Sequence, residues 1–117
     1  MNQTAINPTS NRRKKARYIV DLDAHYCHEG TADDWTRCLV YNINLEGIGI
    51  KLNQAIAISD RLRVRLESRG ETRKFQTVVV GVNGQRISLC FVDVDEDSRA
   101  FLQGVIHHHT GRTTRKR

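Results

Sequence analysis

Proline is nearly missing from the 117 residues, and the one present, Pro8, falls in a polar leader without apolar periodicity. Residues 1–17 are therefore expected to be a mobile arm. Aromatic residues are scarce too: three Phe, three Tyr and one Trp, few to spare for stacking nucleic-acid bases once a core is filled. The three cysteines, Cys27, Cys38 and Cys90, are odd in number and irregular in spacing. They fit no disulfide framework and agree with a reducing compartment. No apolar run approaches the ~20 residues that cross a bilayer, and the N-terminal segment has no hydrophobic signal stretch, so a soluble, cytoplasmic protein is expected. The length suits one domain with one modest core and excludes a multi-lobed enzyme.

Positive charge is plentiful but unevenly placed. Nine of the 19 Lys and Arg residues lie in segments without acids, five in residues 1–17 and four in the tail 112–117. The segment 18–111 keeps the other ten against all 13 acidic residues, a balance of −3. Long-range attraction for an anion thus resides in the ends, and a duplex-binding face on the folded body is disfavoured.

Within 18–111 the dominant period is two. Tyr18, Val20, Leu22, Ala24 and Tyr26 alternate with mostly polar neighbours, as in a half-buried strand. Thr31–Asp34 reads as a turn, and Trp35–Tyr41 as a second strand. Ile48, Ile50 and Leu52 mark a third, and Leu62, Val64 and Leu66 a fourth. Lys74–Val82 is β-branched and nearly continuous, and Asn83-Gly84 behind it predicts a type I′ hairpin into a strand with Ile87, Leu89 and Phe91 on one face. After the acidic stretch 93–97 the period becomes helical, with Phe101, Leu102, Val105 and Ile106 on one side. His107–His109 suit the end of that helix, and Gly111 is placed to stop it. Gly104 costs about 1 kcal/mol relative to Ala, so the helix depends on docking. Six strands and a late helix without strand–helix alternation predict an all-β architecture, a small antiparallel barrel or sandwich capped by a helix. Closure into a barrel is favoured because it removes exposed edges.

No catalytic constellation stands out, so a binder and not an enzyme is expected. Two segments could hold a ligand. Arg12-Arg13-Lys14-Lys15-Ala16-Arg17 precedes the first strand; in an extended chain Arg13 and Arg17 project the same way about 13 Å apart, at ~3.3 Å per residue. Their planar donor forks match phosphate oxygens and the O6 and N7 acceptors of guanine. Asn42-Ile43-Asn44-Leu45-Glu46-Gly47 runs into Ile48-Gly49-Ile50. Asn42 and Asn44 face one side, with amides able to read a base edge or hold a phosphate, and Gly47 permits a positive-φ turn and close ligand approach. The plainer reading of this segment is a β-turn whose asparagines bond the local backbone.

The order RxxxR, then about 25 residues on N-x-N-x-x-G leading into Gly-Ile-Gly-Ile, resembles the PilZ domain family, whose pattern is RxxxR followed by [D/N]-x-S-x-x-G. Arg13 and Arg17 match the first element and Arg12 an additional arginine common before it; Asn42 and Gly47 match the second. The resemblance spans roughly Arg12 to Ile106. It implies a six-stranded β-barrel with a C-terminal helix and a receptor for cyclic di-GMP. From the composition of the arm and the order of the motifs, Arg12, Arg13 and Arg17 are expected to engage guanine and phosphate while Asn42 and Asn44 hold a guanine edge beside Gly47. Asn44 departs from the family's serine. On this reading ligand binding reorders the arm and signals to an unidentified protein partner. Two alternatives remain: a PilZ-fold adaptor without nucleotide, and nucleic-acid binding through a basic stripe of Arg61, Arg63 and Arg65. His25, Cys27, His28 and Cys38 match no standard zinc spacing, and no metal is expected.

Overall fold

A computed structural model describes residues 22–115, with side chains as far as 108. Six strands follow in order: β1 (Asp23–His28), β2 (Thr36–Ile43), β3 (Gly47–Lys51), β4 (Arg61–Ser68), β5 (Glu71–Asn83) and β6 (Arg86–Val92). A helix, α1 (Glu96–Arg115), ends the series. The strands close into a barrel in the order β1-β2-β3-β6-β5-β4, every neighbouring pair antiparallel. The expected all-β, six-stranded antiparallel barrel with a C-terminal helix is the fold adopted. The expected arm, residues 1–17, and the first part of the expected opening strand, residues 18–21, lie outside the described residues.

The period-two pattern places the core. Leu22, Ala24 and Tyr26 point inward, as do Ile48 and Ile50, then Leu62, Val64 and Leu66, and finally Ile87 and Leu89; all are buried. Closure leaves no edge for another chain to pair with. Phe101, Leu102 and Val105 of α1 are buried with this cluster. Phe75 lies between Phe91 and Phe101, at ring-centre distances of 4.9 and 6.2 Å, and so joins the helix to the barrel wall. Burying each large apolar side chain contributes about 1.5–3 kcal/mol, enough to offset Gly104 inside α1. Asp95 caps this helix: its carboxylate accepts from the Ser98 N–H at 2.8 Å. That bond from the Ser98 backbone holds the Asp95 carboxyl below the usual carboxylate range.

Three details depart from the sequence reading. The type I′ geometry expected at Asn83-Gly84 occurs at another hairpin, where Arg69 (φ 53°) and Gly70 (φ 83°) join Ser68 and Glu71. Asn83 pairs with Arg86, so the β5–β6 turn is Gly84-Gln85, with a positive φ at Gly84 alone; that is the II′ pattern, in which only the first central residue must be left-handed. The helix does not stop at Gly111 but continues to Arg115, because an interior glycine weakens a helix without breaking it. Cys27, which the alternation of β1 sets on the face opposite Ala24 and Tyr26, among polar neighbours, is nevertheless buried. Beside it in register, Arg63 reaches out to the turn before β2, donating to the Thr31 carbonyl and the Asp33 carboxylate, each at 3.2 Å.

Gly104 has a structural use. A Cβ there would come within 3.0 Å of the Arg69 guanidinium, so the missing side chain lets the β4–β5 turn rest against α1.

Candidate ligand-binding site

The site is built where β2 turns into β3. The β2–β3 register slips between Val40 and Asn42, and after this bulge Asn42 stands opposite Gly49 and Ile43 opposite Ile48. A bulge re-aims side chains on the wall where it occurs. The chain then turns through Asn44, Leu45 and Glu46. The Asn44 N–H donates to the Gly47 carbonyl at 3.0 Å, while the Asn44 side-chain oxygen accepts from the N–H groups of Glu46 and Gly47 at 2.7 and 2.9 Å. The Phe91 N–H donates to the Glu46 carbonyl at 2.9 Å, which fastens the turn to β6.

Asn44 therefore does what the plainer reading of this segment anticipates: its oxygen caps the turn. Only its NH2 group remains to reach a ligand. The Asn42 side chain is exposed and makes no hydrogen bond among the described residues, so both its donor and acceptor functions are available.

Gly47 serves the turn differently from the expectation. Its φ is not left-handed; the positive-φ glycines among the described residues are Gly30, Gly70 and Gly84. Gly47 is instead the position where β3 passes tightly against β6, opposite Cys90, and a Cβ there would collide with the Leu89 carbonyl oxygen.

Asn42, Asn44 and Gly47 come together around one cavity of about 240 Å³ on the outer wall of β2, β3 and β6. Arg12, Arg13 and Arg17 lie outside the described residues. Sequence reading missed Tyr41, Gly49, Ser88 and Cys90, which line the same cavity. The signal for the glycines was present in the alternation Gly47-Ile48-Gly49-Ile50: if the isoleucines face the core, the glycines face outward and bare the backbone. Ser88 and Cys90 carry no local signal, because they reach the site only through the register that sets Ser88 opposite Gly49 and Cys90 opposite Gly47.

The electrostatics are lopsided. Among the described residues no lining side chain is cationic, and Glu46 is acidic. A doubly anionic ligand seated here would need positive charge from beyond the lining.

The candidate metal residues are dispersed. Cys38 is in the core, where burial pushes its thiol up to about 12. Among the described residues no three His, Cys, Asp or Glu side chains are grouped to hold a metal ion, and no helix is long and apolar enough to cross a membrane.

Comparison with known proteins supplies the relatives. A family model described as PilZ domain matches residues 11–107. No curated protein matches the chain in sequence. Among solved structures, the chain is similar to the PilZ domain of CeSA from a cellulose-synthesizing bacterium, with 9% identity and a TM-score of 0.61, covering 79% of this chain and 96% of that one. It is similar to the PilZ domain of Escherichia coli YcgR, solved with c-di-GMP, at 18% identity and a TM-score of 0.60, covering 87% and 96%. It also resembles the Bacillus subtilis inhibitor of motility MotI/DgrA at 19% identity and a TM-score of 0.60, covering 88% of this chain and 53% of that one. At such identities the likeness to solved structures is one of fold.

Proposed function

The chain belongs to the PilZ domain family, and from that premise we propose that it is a cytoplasmic receptor, not an enzyme, for cyclic di-GMP. The observation that carries the reading is the pairing of an amide-bearing cavity, without a cation among its described lining residues, with a cationic leader. The cavity offers the Asn42 amide and the Asn44 NH2 over a glycine floor but no cation among its described lining residues. The sequence supplies the missing charge in Arg12, Arg13 and Arg17, directly ahead of β1. The bound form of E. coli YcgR supports the ligand's identity at the level of the shared family.

On this reading Asn42 meets a guanine edge, the arginines pair with phosphate and guanine, and the leader folds over the ligand. Ordering such a segment costs free energy, drawn from the contacts it makes, and changes the surface offered to a partner protein. The partner's identity is open to capture experiments with and without ligand.

Titration of the full chain with cyclic di-GMP by calorimetry and thermal shift tests the reading. At 100 times the dissociation constant the native state gains about 2.7 kcal/mol. Arg13→Ala and Arg17→Ala are expected to abolish the heat while the unliganded melting temperature stays put. Wild-type affinity in both variants would remove the leader from the site. Absence of binding by the wild type would leave the ligand-free adaptor as the better account, one that the turn-capping role of Asn44 already accommodates.

Nucleic-acid binding draws less support. Arg63 on the basic stripe is held by the Thr31 carbonyl and the Asp33 carboxylate. Trp35, the sole tryptophan, is shared by three cations, Arg63, Arg65 and Lys74, so a base would have to compete with several existing partners there.

A further inference from the structure

Beside Asn42 the cavity wall carries an aromatic ring that neither the sequence motifs nor the family pattern mark. The outward positions of β3 are Gly47 and Gly49, and across the β6 ladder they face Cys90 and Ser88. The floor is therefore shallow and almost bare of side chain. Tyr41, at the β2 bulge, lies across it: a Cβ on Gly49 would stand 2.7 Å from the ring's Cζ and 2.9 Å from Cε2. With no side chain beneath, the ring rests on the strand itself, and its plane is fixed by backbone. The guanidinium of Arg86, exposed at the start of β6, stands 5.0 Å from the ring centre and forms no ion pair among the described residues.

We propose that Tyr41 and Arg86 form a stacking clamp for one purine base of the ligand, with Asn42 reading that base's edge. The inference rests on the cyclic dinucleotide reading above and adds to it a division of labour. A cavity of about 240 Å³ falls below the roughly 300–1,000 Å³ of pockets that enclose a whole drug-sized ligand. It suits one base and its sugar, leaving the other half of the dinucleotide to the leader arginines. An aromatic face stacks any base, and a guanidinium plane either covers the base's open face or forks onto O6 and N7 of guanine. Arg86 is free to do either, because its long side chain is held by the Tyr41 ring alone among the described residues. The amide of Asn42, on β2 next to the ring, presents a donor and an acceptor together, which a purine edge can satisfy.

Calorimetric titration of cyclic di-GMP into the full-length wild type, Tyr41→Leu, Tyr41→Phe and Arg86→Gln tests the clamp, with circular dichroism melts showing that each variant folds. Tyr41→Leu is expected to weaken binding about ten- to hundredfold, the range that loss of one stacked base implies. Tyr41→Phe, which keeps the ring, recovers most of that loss, and Arg86→Gln falls between the two. In the wild type, ring-proton resonances of Tyr41 move upfield on saturation, a signature that a merely structural tyrosine would not produce. That measurement also stands if Tyr41→Leu proves unfolded. If the wild type binds while folded Tyr41→Leu matches it, or its Tyr41 resonances stay still, the clamp is overturned and the receptor reading survives. If the wild type gives no heat and no resonance moves, both fall.

Discussion

The Arg65 guanidinium lies 4.8 Å from the centre of the Trp35 ring, and Arg63 and Lys74 approach the same ring at 5.1 and 5.9 Å. Arg65 and Lys74 are direct cross-strand partners on β4 and β5, a like-charge pair that would by itself destabilise the sheet. Trp35 lies over that pair and supplies an electron-rich face to both. It occupies the wall formed by β1, β4 and β5, away from the candidate cavity on β2, β3 and β6.

Trp35→Ala is accordingly expected to cost about 2 kcal/mol, from several cation–π contacts of about 0.5–1 kcal/mol each and the ring's lost packing. The fall in urea midpoint, followed by circular dichroism because the lone indole is gone, checks it. Trp35→Phe should recover part of the loss. A midpoint shift equivalent to less than about 0.5 kcal/mol, the range of an ordinary surface substitution, would show that the ring merely rests on the wall.

Asn44 holds two backbone N–H groups with one oxygen, so its removal should be felt as stability first. Asn44→Ala is expected to cost about 1–2 kcal/mol, as losing a comparable helix cap does. Asn44→Ser, which keeps an oxygen close to the same two donors, should recover most of it. Asn42→Ala should leave the melt unchanged and weaken cyclic di-GMP binding. If Asn42→Ala instead lowers the melting temperature as far as Asn44→Ala, the division between structural and ligand-facing amide is wrong.

How far such distinctions were legible in the sequence depends on what carries them. The inward faces of β1, β3, β4 and β6 and of α1 followed from hydrophobic period, because alternation survives any choice of register; the faces of β2 and β5 did not. The turn types did not follow: Asn83-Gly84 has the composition of a type I′ turn, but the β5–β6 register moved the loop on by one residue. Arg69-Gly70, an unlikely pair on propensity, took the left-handed conformations instead. The candidate site divides the same way. Asn42, Asn44 and Gly47 were visible because they are neighbours in one short segment. Tyr41, Ser88 and Arg86 entered only with the β2 bulge and the β3–β6 ladder, which no local pattern encodes.

Gly47 offers a sharper test of the wall. Its Cβ would have to displace the Leu89 carbonyl, a backbone group tied into the β3–β6 ladder, so the neighbour cannot yield as a flexible side chain would. Gly47→Ala is expected to destabilise the barrel by about 1–3 kcal/mol, the usual cost of forcing atoms into a packed site, and to weaken ligand binding by shifting the turn. Gly84→Ala supplies the contrast: open space surrounds that position, and its cost comes from the positive φ alone, about 1 kcal/mol. Urea titrations of both variants decide the comparison; equal losses would mean that β6 moves aside more readily than a paired strand should.

His25 adds a pH dependence whose sign is determined by its neighbours. Partial burial and the Arg65 guanidinium across the β1–β4 ladder lower its pKa below 6.5, with Arg37 on β2 acting in the same direction and Asp23 and Glu67 opposing. The unfolded chain, with His25 near its ordinary value, then holds more protons than the folded one in the window just below pH 6.5. Stability should therefore rise with pH through that window: the penalty is complete below the lowered pKa and gone above 6.5. His25→Gln removes this contribution, so the difference between wild-type and variant unfolding free energies should slope upward as the pH rises toward 6.5 and level off above. Raising the salt should flatten the slope, because His25 and its charged neighbours are reached by solvent. A flat difference at low salt would mean that the acidic pair Asp23 and Glu67 cancels both the partial burial and the two arginines.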